Sequence, residues 1–291
     1  SNIAKKYASK NDKIKLYKMD RNFGAPSCMN FGTKKAKYNW VGIIDSDATE
    51  SKDWLKKANE IVEDKIDLFG GGVNYTKDKN LSYLQNVYYY IETNLFLKKE
   101  VLYNLDNFKE PPIAGANFFY KKEVFNNLRG FKKEIKAGYD RLFICQAIEN
   151  GFNVVYNNQL SINHPLYNYK NLKTFFRRAI NFNKNKTLII KESKLIAKEY
   201  KLIPISLLSL LIYFVISFIF LGLKRTIILS LIIGCLGIFI YSLKLFIKDR
   251  VPLKYIPGYT LVDFLKKSIA SIIYLLKLKP KNLDWKDRSK K

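Results

Sequence analysis

The sequence predicts an α/β domain with a mostly parallel sheet, followed by a transmembrane helical hairpin and a helix lying in the membrane interface. Three observations carry this prediction. Short apolar runs alternate with stretches of helical spacing as far as about residue 168. Two long uncharged stretches then follow back to back. A third apolar stretch after them is broken by charged residues. The 291 residues are 48% hydrophobic and 15% aromatic, enough for a real core and too apolar for a disordered chain. The cysteines (Cys28, Cys145 and Cys235) stand far apart without CxxC or CxxH pairing, which excludes a disulfide scaffold and argues against a zinc site.

The elements follow in order. Ile3, Ala4, Tyr7 and Ala8 have helical spacing and lead to an expected short strand over 14–17. This opening reads as the middle of a domain, so the sequence is expected to lack its native N-terminus and a first strand. Trp40 to Ile44 (WVGII) suits a buried strand. Ser51 to Glu63 is spaced as a helix, with Thr49 or Ser51 as N-cap, and the glycine-rich Leu68 to Asn74 reads as a strand. Val87 to Leu105 is expected to be helical, Asn117 to Tyr120 a strand, Tyr139 to Glu149 a helix closed by Gly151, and Asn153 to Tyr156 a strand.

Past residue 170 the character changes. Residues 171–202 are amphipathic and carry nine Lys/Arg against two Glu. Ile203 to Leu223 then runs 21 residues without a charge, and Thr226 to Leu243 adds 18 more, with only Lys224 and Arg225 between them. Each is long enough to approach the roughly 30 Å of a bilayer core, and so short a connection predicts a hairpin. Basic residues flank the pair on one side, including Lys244, Lys248, Arg250 and Lys254, so the α/β domain and the C-terminus are expected to be cytoplasmic in a multi-pass protein of the cell membrane. Tyr259 to Leu278, interrupted by Asp263, Lys266, Lys267 and Lys277, fits a helix in the interface. The expected organisation is thus 1–168 for the α/β domain, 169–202 for a basic amphipathic linker, 203–247 for the two spans, and 248–291 for the interfacial helix and basic tail. With 51 Lys+Arg against 25 Asp+Glu the net charge is +26. That excess gathers beside the membrane segments, which points to lipid headgroups as partners and away from nucleic acid.

The local feature with the most chemistry is Asp45-Ser46-Asp47 at the end of the WVGII strand. Side chains two apart on a strand face the same way, and ligands of open α/β sheets bind at the strands' C-terminal ends. Two hard carboxylates there suit Mg2+ or Mn2+ on a substrate's phosphates. The same acids also fit a turn before the next helix.

The stretch from Arg21 to Ala48 (RNFGAPSCMNFGTKKAKYNWVGIIDSDA) resembles the signature of the family 2 glycosyltransferases, which have the GT-A fold. Asn22 and Gly24 match an Asn-x-Gly turn, Asn30 the second residue of an Arg-Asn pair, Ala36 a small position and Asp45/Asp47 the DXD metal motif; Met29 stands where the family commonly has Arg. Downstream, Gly115 to Val124 resembles the acceptor-side strand, and Gly130-Phe131, Tyr139-Asp140 and Gly151-Phe152 resemble a GGF…ED…G segment with Tyr139 in place of its Glu. The resemblance implies a GT-A Rossmann-like domain and a nucleotide-diphosphate sugar as donor, bound through Asn22, Gly24, Asn30 and Asp45. It further implies a metal held by Asp45 and Asp47 with His164 beside it, and Asp140 as the base that deprotonates an acceptor hydroxyl. Transfer would invert the anomeric centre. Together with the membrane segments, this points to a lipid-linked or polysaccharide acceptor in the cell envelope. The alternative reading, supported by Met29 and Tyr139, is a catalytically inactive, membrane-anchored assembly protein of the same fold.

Overall fold

The computed structural model describes residues 2–76, 81–93, 100–107, 111–166 and 171–276, with side chains except at 76, 198–212, 214, 220, 271, 274 and 275. The basic tail anticipated beyond 276 lies outside the described residues. Helix α1 (Asn2–Lys10) opens the chain. The strand expected over 14–17 does not form: no described strand pairs with it, and Ile14, Leu16 and Tyr17 stay exposed. Its alternation has no sheet face to serve, and Tyr17 instead sets its ring edge-on to Phe31 at 5.4 Å.

Helix α2 (Ala25–Lys35) starts after Gly24, which holds the left-handed φ of 83° that the turn requires, with a proline in its first turn. Strand β1 (Trp40–Ile44) matches its expected bounds, and helix α3 (Trp54–Ile61) follows a turn in which Ser51 donates to Asp53. The glycine-rich segment divides into β2 (Leu68–Gly70) and β3 (Val73–Thr76). The long helix expected over 87–105 is corrected: α4 (Tyr83–Thr93) is helical, but Val101–Tyr103 forms strand β4, whose β-branched and aromatic residues pair with a neighbouring strand. Then come β5 (Asn117–Lys121), α5 (Lys122–Asn127), α6 (Tyr139–Glu149), β6 (Val154–Tyr156) and β7 (Ile162–Pro165).

The main sheet has the order β1-β5-β2-β6-β4. It is mixed, which corrects the expectation of a mostly parallel sheet. Only β2 and β6 run parallel; β5 inserts antiparallel between β1 and β2, and β4 lies antiparallel to β6. Alternation along the chain reports the elements, while strand order is set by contacts remote in sequence. A separate parallel pair joins β3 to β7. Strand β5 is buried on both faces: Phe118 and Tyr120 enter one apolar cluster with Leu142, Phe143 and Val154, while Phe119 enters another with Trp54 and Phe69. Gly42, opposite Phe119, is small because that ring occupies its side-chain position; an added Cβ would meet it at 2.5 Å.

Helix α7 (Leu172–Glu192) is capped by Asn171, whose side chain accepts from the Thr174 N–H. Ser193 then starts the helical run α8 (Lys194–Ile247), and Glu149 at the end of α6 fastens this junction by accepting from Ser193 Oγ and the Leu195 N–H, both at 2.7 Å. The run breaks at one residue, Gly222 (φ 73°, ψ 164°), two residues before the expected Lys224-Arg225 connection. Leu221–Ile247, with mean hydropathy 2.4, is the one stretch among the described residues long and apolar enough to cross a membrane. Helix α9 (Ile256–Leu275) packs back on the domain. Tyr83 donates to the Lys254 carbonyl at 3.0 Å, Lys266 pairs with Glu92 at 3.6 Å, and Tyr241 of α8 donates to Asp263 at 2.9 Å. Its opposite face leaves Leu261, Phe264 and Ile272 exposed.

Candidate active site

Asp45 and Asp47 follow β1 directly, yet they converge through a turn and not through strand alternation. Strand β1 ends at Ile44, and the Ala48 N–H donates to the Asp45 carbonyl at 3.0 Å. Thr49 and Asn163 then exchange two 2.8 Å backbone hydrogen bonds, which draws the turn onto β7. His164 is thereby set against Asp47, with Nε2 3.3 Å from Oδ1. Ligand atoms of Asp45, Asp47 and His164 all lie within 4.8 Å of one another.

The tautomer follows from the second ring nitrogen. His164 Nδ1 lies 2.9 Å from the Pro165 carbonyl, an oxygen that can only accept, so Nδ1 carries the proton. When the ring is neutral, Nε2 turns its lone pair toward an Asp47 carboxylate oxygen. Two acceptors facing one another need a proton or a cation between them. A ring oriented by a backbone carbonyl and two hard carboxylates make a donor set that fits a divalent cation. The Asp45 carboxyl is held above the usual carboxylate range, first by burial and then by Asp47, with Asp140 adding to it and His164 opposing. A cation would relieve that repulsion.

Asp140 is in the first turn of α6, after Gly138 in the left-handed region (φ 79°). Burial pushes its carboxyl up, against the backbone N–H groups of Arg141 and of Asp140 itself, which donate to it. The carboxylate lies against Gly115: an added Cβ there would be 2.5 Å from the Asp140 carboxyl carbon. Tyr139 is half-buried, its ring edge-on to Phe131 at 6.4 Å. Its phenol is held neutral by burial first, then by Asp140, Asp45 and Cys28.

The other expected binding residues are shown in structural settings. Asn22 Oδ1 accepts the Gly24 N–H at 3.0 Å, a turn that aims the chain into α2. Asn30 is buried and clamps Phe131, donating to its carbonyl and accepting its N–H, both at 2.8 Å. Met29 packs against the central apolar cluster. Two residues escaped assignment in the sequence. Gly115 makes room for Asp140. Asn117 is fully buried under the site, where it accepts from Trp54 Nε1 at 3.0 Å and donates to the carbonyls of Gly72 and Leu160. The Gly-Ala-Asn before an apolar strand is the signal that marks both.

The α/β domain, with its mixed sheet and an acidic cluster after its first described strand, has a GT-A-like fold. Residues 1–129 of the chain match the family Glycosyl transferase family 2. Among solved structures it resembles the mannosyltransferase PcManGT from Pyrobaculum calidifontis in complex with GDP-Man and Mn2+ (14% identity, TM-score 0.55, covering 95% of this chain and 74% of that one). At that identity the likeness is one of fold. S. aureus TarS 1-349 overlays less well, with 18% identity, a TM-score of 0.45 and coverage of 66% of this chain and 51% of that one. No curated protein matches the chain.

Proposed function

We propose that the chain is an inverting hexosyltransferase that moves a sugar from a nucleotide-diphosphate donor to a hydroxyl of a lipid-linked or membrane-assembled glycan. The observation that carries this reading is the convergence of Asp45, Asp47 and His164 within 4.8 Å, with the Asp140 carboxylate close enough to raise the Asp45 pKa. A divalent cation, Mg2+ or Mn2+, bound by these three residues would neutralise charge on the departing diphosphate. The GDP-Man and Mn2+ in PcManGT, a protein of like fold, support such a donor and cation.

Asp140 is the proposed general base. It must take the acceptor's proton as the oxygen attacks the anomeric carbon. A carboxyl whose pKa is raised by burial holds a proton more tightly once it has accepted one, which suits that task better than an ordinary surface acid. With the diphosphate held at Asp45 and Asp47 and the acceptor at Asp140, attack comes from the face opposite the leaving group. Inversion follows, and no covalent enzyme intermediate is required. Retention of all three aspartates favours this enzyme over an inactive protein of the same fold.

The membrane setting belongs to the same proposal. The apolar stretch Leu221–Ile247 and the outward residues Leu261, Phe264 and Ile272 of α9 favour a bilayer. Two spans meeting near Gly222, with the catalytic domain on the cytoplasmic side, would hold the site beside a lipid-linked acceptor. The test uses membranes containing the full protein, a panel of radiolabelled nucleotide sugars, and Mg2+ or Mn2+. Label entering a lipid or polymer fraction, and lost in Asp47→Asn and Asp140→Asn, is the expected result. Nucleotide binding indifferent to Asp47 and to the metal would overturn it.

A further inference from the structure

We infer that Tyr139 is a sugar-contacting residue, its phenol donating a hydrogen bond to a hydroxyl of the transferred sugar and so helping to select the donor. The inference rests on the donor site proposed above. Tyr139 is the first residue of α6 and immediately precedes Asp140. Its ring is fixed from behind. It meets Phe131 edge-on at 6.4 Å, Phe131 stacks on Phe143 at 4.3 Å, and the Phe131 backbone is clamped by Asn30. A ring held this way keeps its hydroxyl in one place.

That hydroxyl makes no hydrogen bond to any described residue, although it lies in the field of two carboxylates, Asp45 and Asp140, and of the Cys28 thiol. It is not sealed from solvent. A buried or half-buried phenol ordinarily finds an acceptor. Here it has no acceptor among the described residues, so the space that solvent reaches beside it is free to hold one.

The chemistry says what fills that space. The diphosphate belongs at Asp45 and Asp47, and the base that serves the acceptor is Asp140. In an in-line displacement the transferred sugar lies between leaving group and nucleophile. Asp140 lies against Gly115, two residues before the Asn117 that pairs with Ile44, so α6 begins beside the turn that holds Asp45, and its first residue, Tyr139, is placed for the sugar and not for the nucleotide base. A phenol donates to a ring hydroxyl as a neutral group, and it adds no negative charge beside the diphosphate, as a carboxylate here would.

The test compares the full protein in nanodiscs with its Tyr139→Phe variant, which keeps the ring packing. Binding of GDP-mannose, UDP-glucose and UDP-N-acetylglucosamine is measured by calorimetry with Mn2+, each against GDP or UDP alone. The wild type is expected to prefer one nucleotide sugar over its nucleoside diphosphate. Tyr139→Phe should cut that preference by roughly 3- to 10-fold, the worth of one neutral hydrogen bond, with GDP or UDP affinity held within about two-fold. A preference that survives in the variant, a parallel loss of nucleoside diphosphate binding, or no preference in the wild type for any pair would each overturn the inference. Asp47→Asn separates the two levels. Nucleoside diphosphate binding that ignores both Asp47 and Mn2+ removes the donor site itself, whereas Mn2+-dependent binding with a silent Tyr139→Phe removes only the role of Tyr139.

Discussion

Replacing Gly115 by alanine should disable the proposed base without touching an ionisable group. The new methyl would sit 2.5 Å from the carboxyl carbon of Asp140 and 2.8 Å from its Cβ. Carbon atoms in contact stand about 3.5 Å or more apart, and the carboxylate oxygen Oδ2 overlaps the new methyl more closely still, so the carboxylate must retreat by at least about 1 Å. The backbone at 115 is outside the left-handed region, so alanine fits the chain, and the nearest atoms it meets are those of Asp140. Helix α6 cannot shift to relieve it cheaply, because Leu142, Phe143 and Ile144 are buried in the main cluster. The Asp140 side chain must turn aside instead. Overpacking of this kind costs about 1–3 kcal/mol of stability, and a displacement of about 1 Å at a reacting group costs about 100-fold in rate. The assay is transfer from the preferred donor in nanodiscs, with Mn2+-dependent binding of the nucleoside diphosphate and a thermal melt as controls. The expected result is a kcat lowered about 100-fold, unchanged nucleoside diphosphate affinity and a cooperative melt at slightly lower temperature. A kcat within about three-fold of wild type would refute the placement of the base at Asp140.

The remaining predictions concern the same framework. The raised Asp140 pKa means that its charge costs stability above that pKa, so Asp140→Asn should raise the Tm at pH 7–8 while abolishing transfer; the gain should vanish as pH falls below about 4, where the wild-type acid is protonated too. In the active wild type the rate should fall on the acid side around a pKa above the ordinary carboxylate value, read from a pH–rate profile. Removing His164 with alanine should raise the Mn2+ concentration needed for half-maximal nucleotide binding by roughly 10-fold or more, measured by metal titration. Asn117→Leu leaves the Trp54 indole N–H and two carbonyls without their partner and should cost about 3 kcal/mol or more in a denaturation melt. Gly222→Ala forces a side chain into a backbone conformation reserved for glycine and should cost about 1–3 kcal/mol, seen as a lower Tm in detergent.

The legible parts of this molecule are those whose reasons are local. Strand β1 and helix α6 take their expected bounds because WVGII and the run from Tyr139 to Glu149 specify one period each, and the Asp45/Asp47 pair announces itself within three residues. What local pattern leaves open is direction and remote pairing. Strand β5 forms where expected, but its insertion between β1 and β2 makes the sheet mixed, and nothing in Asn117 to Lys121 states which neighbours it takes. Residues 14–17 alternate as a strand should, yet alternation is only an offer of a face, and no described strand accepts it. Asn30 illustrates the same limit from the side of function. Its motif suggests a ligand contact, whereas the structure binds its amide to Phe131, 101 residues away. That clamp bears on chemistry all the same, because Phe131 backs the ring of Tyr139. The site is thus assembled from three separate pieces of chain. The turn after β1 supplies two acids, β7 brings the histidine through the Thr49–Asn163 bridge, and α6 presents Tyr139 and Asp140. Gly115 makes the room in which Asp140 sits, so its mutation should alter transfer while removing no group that meets the substrate.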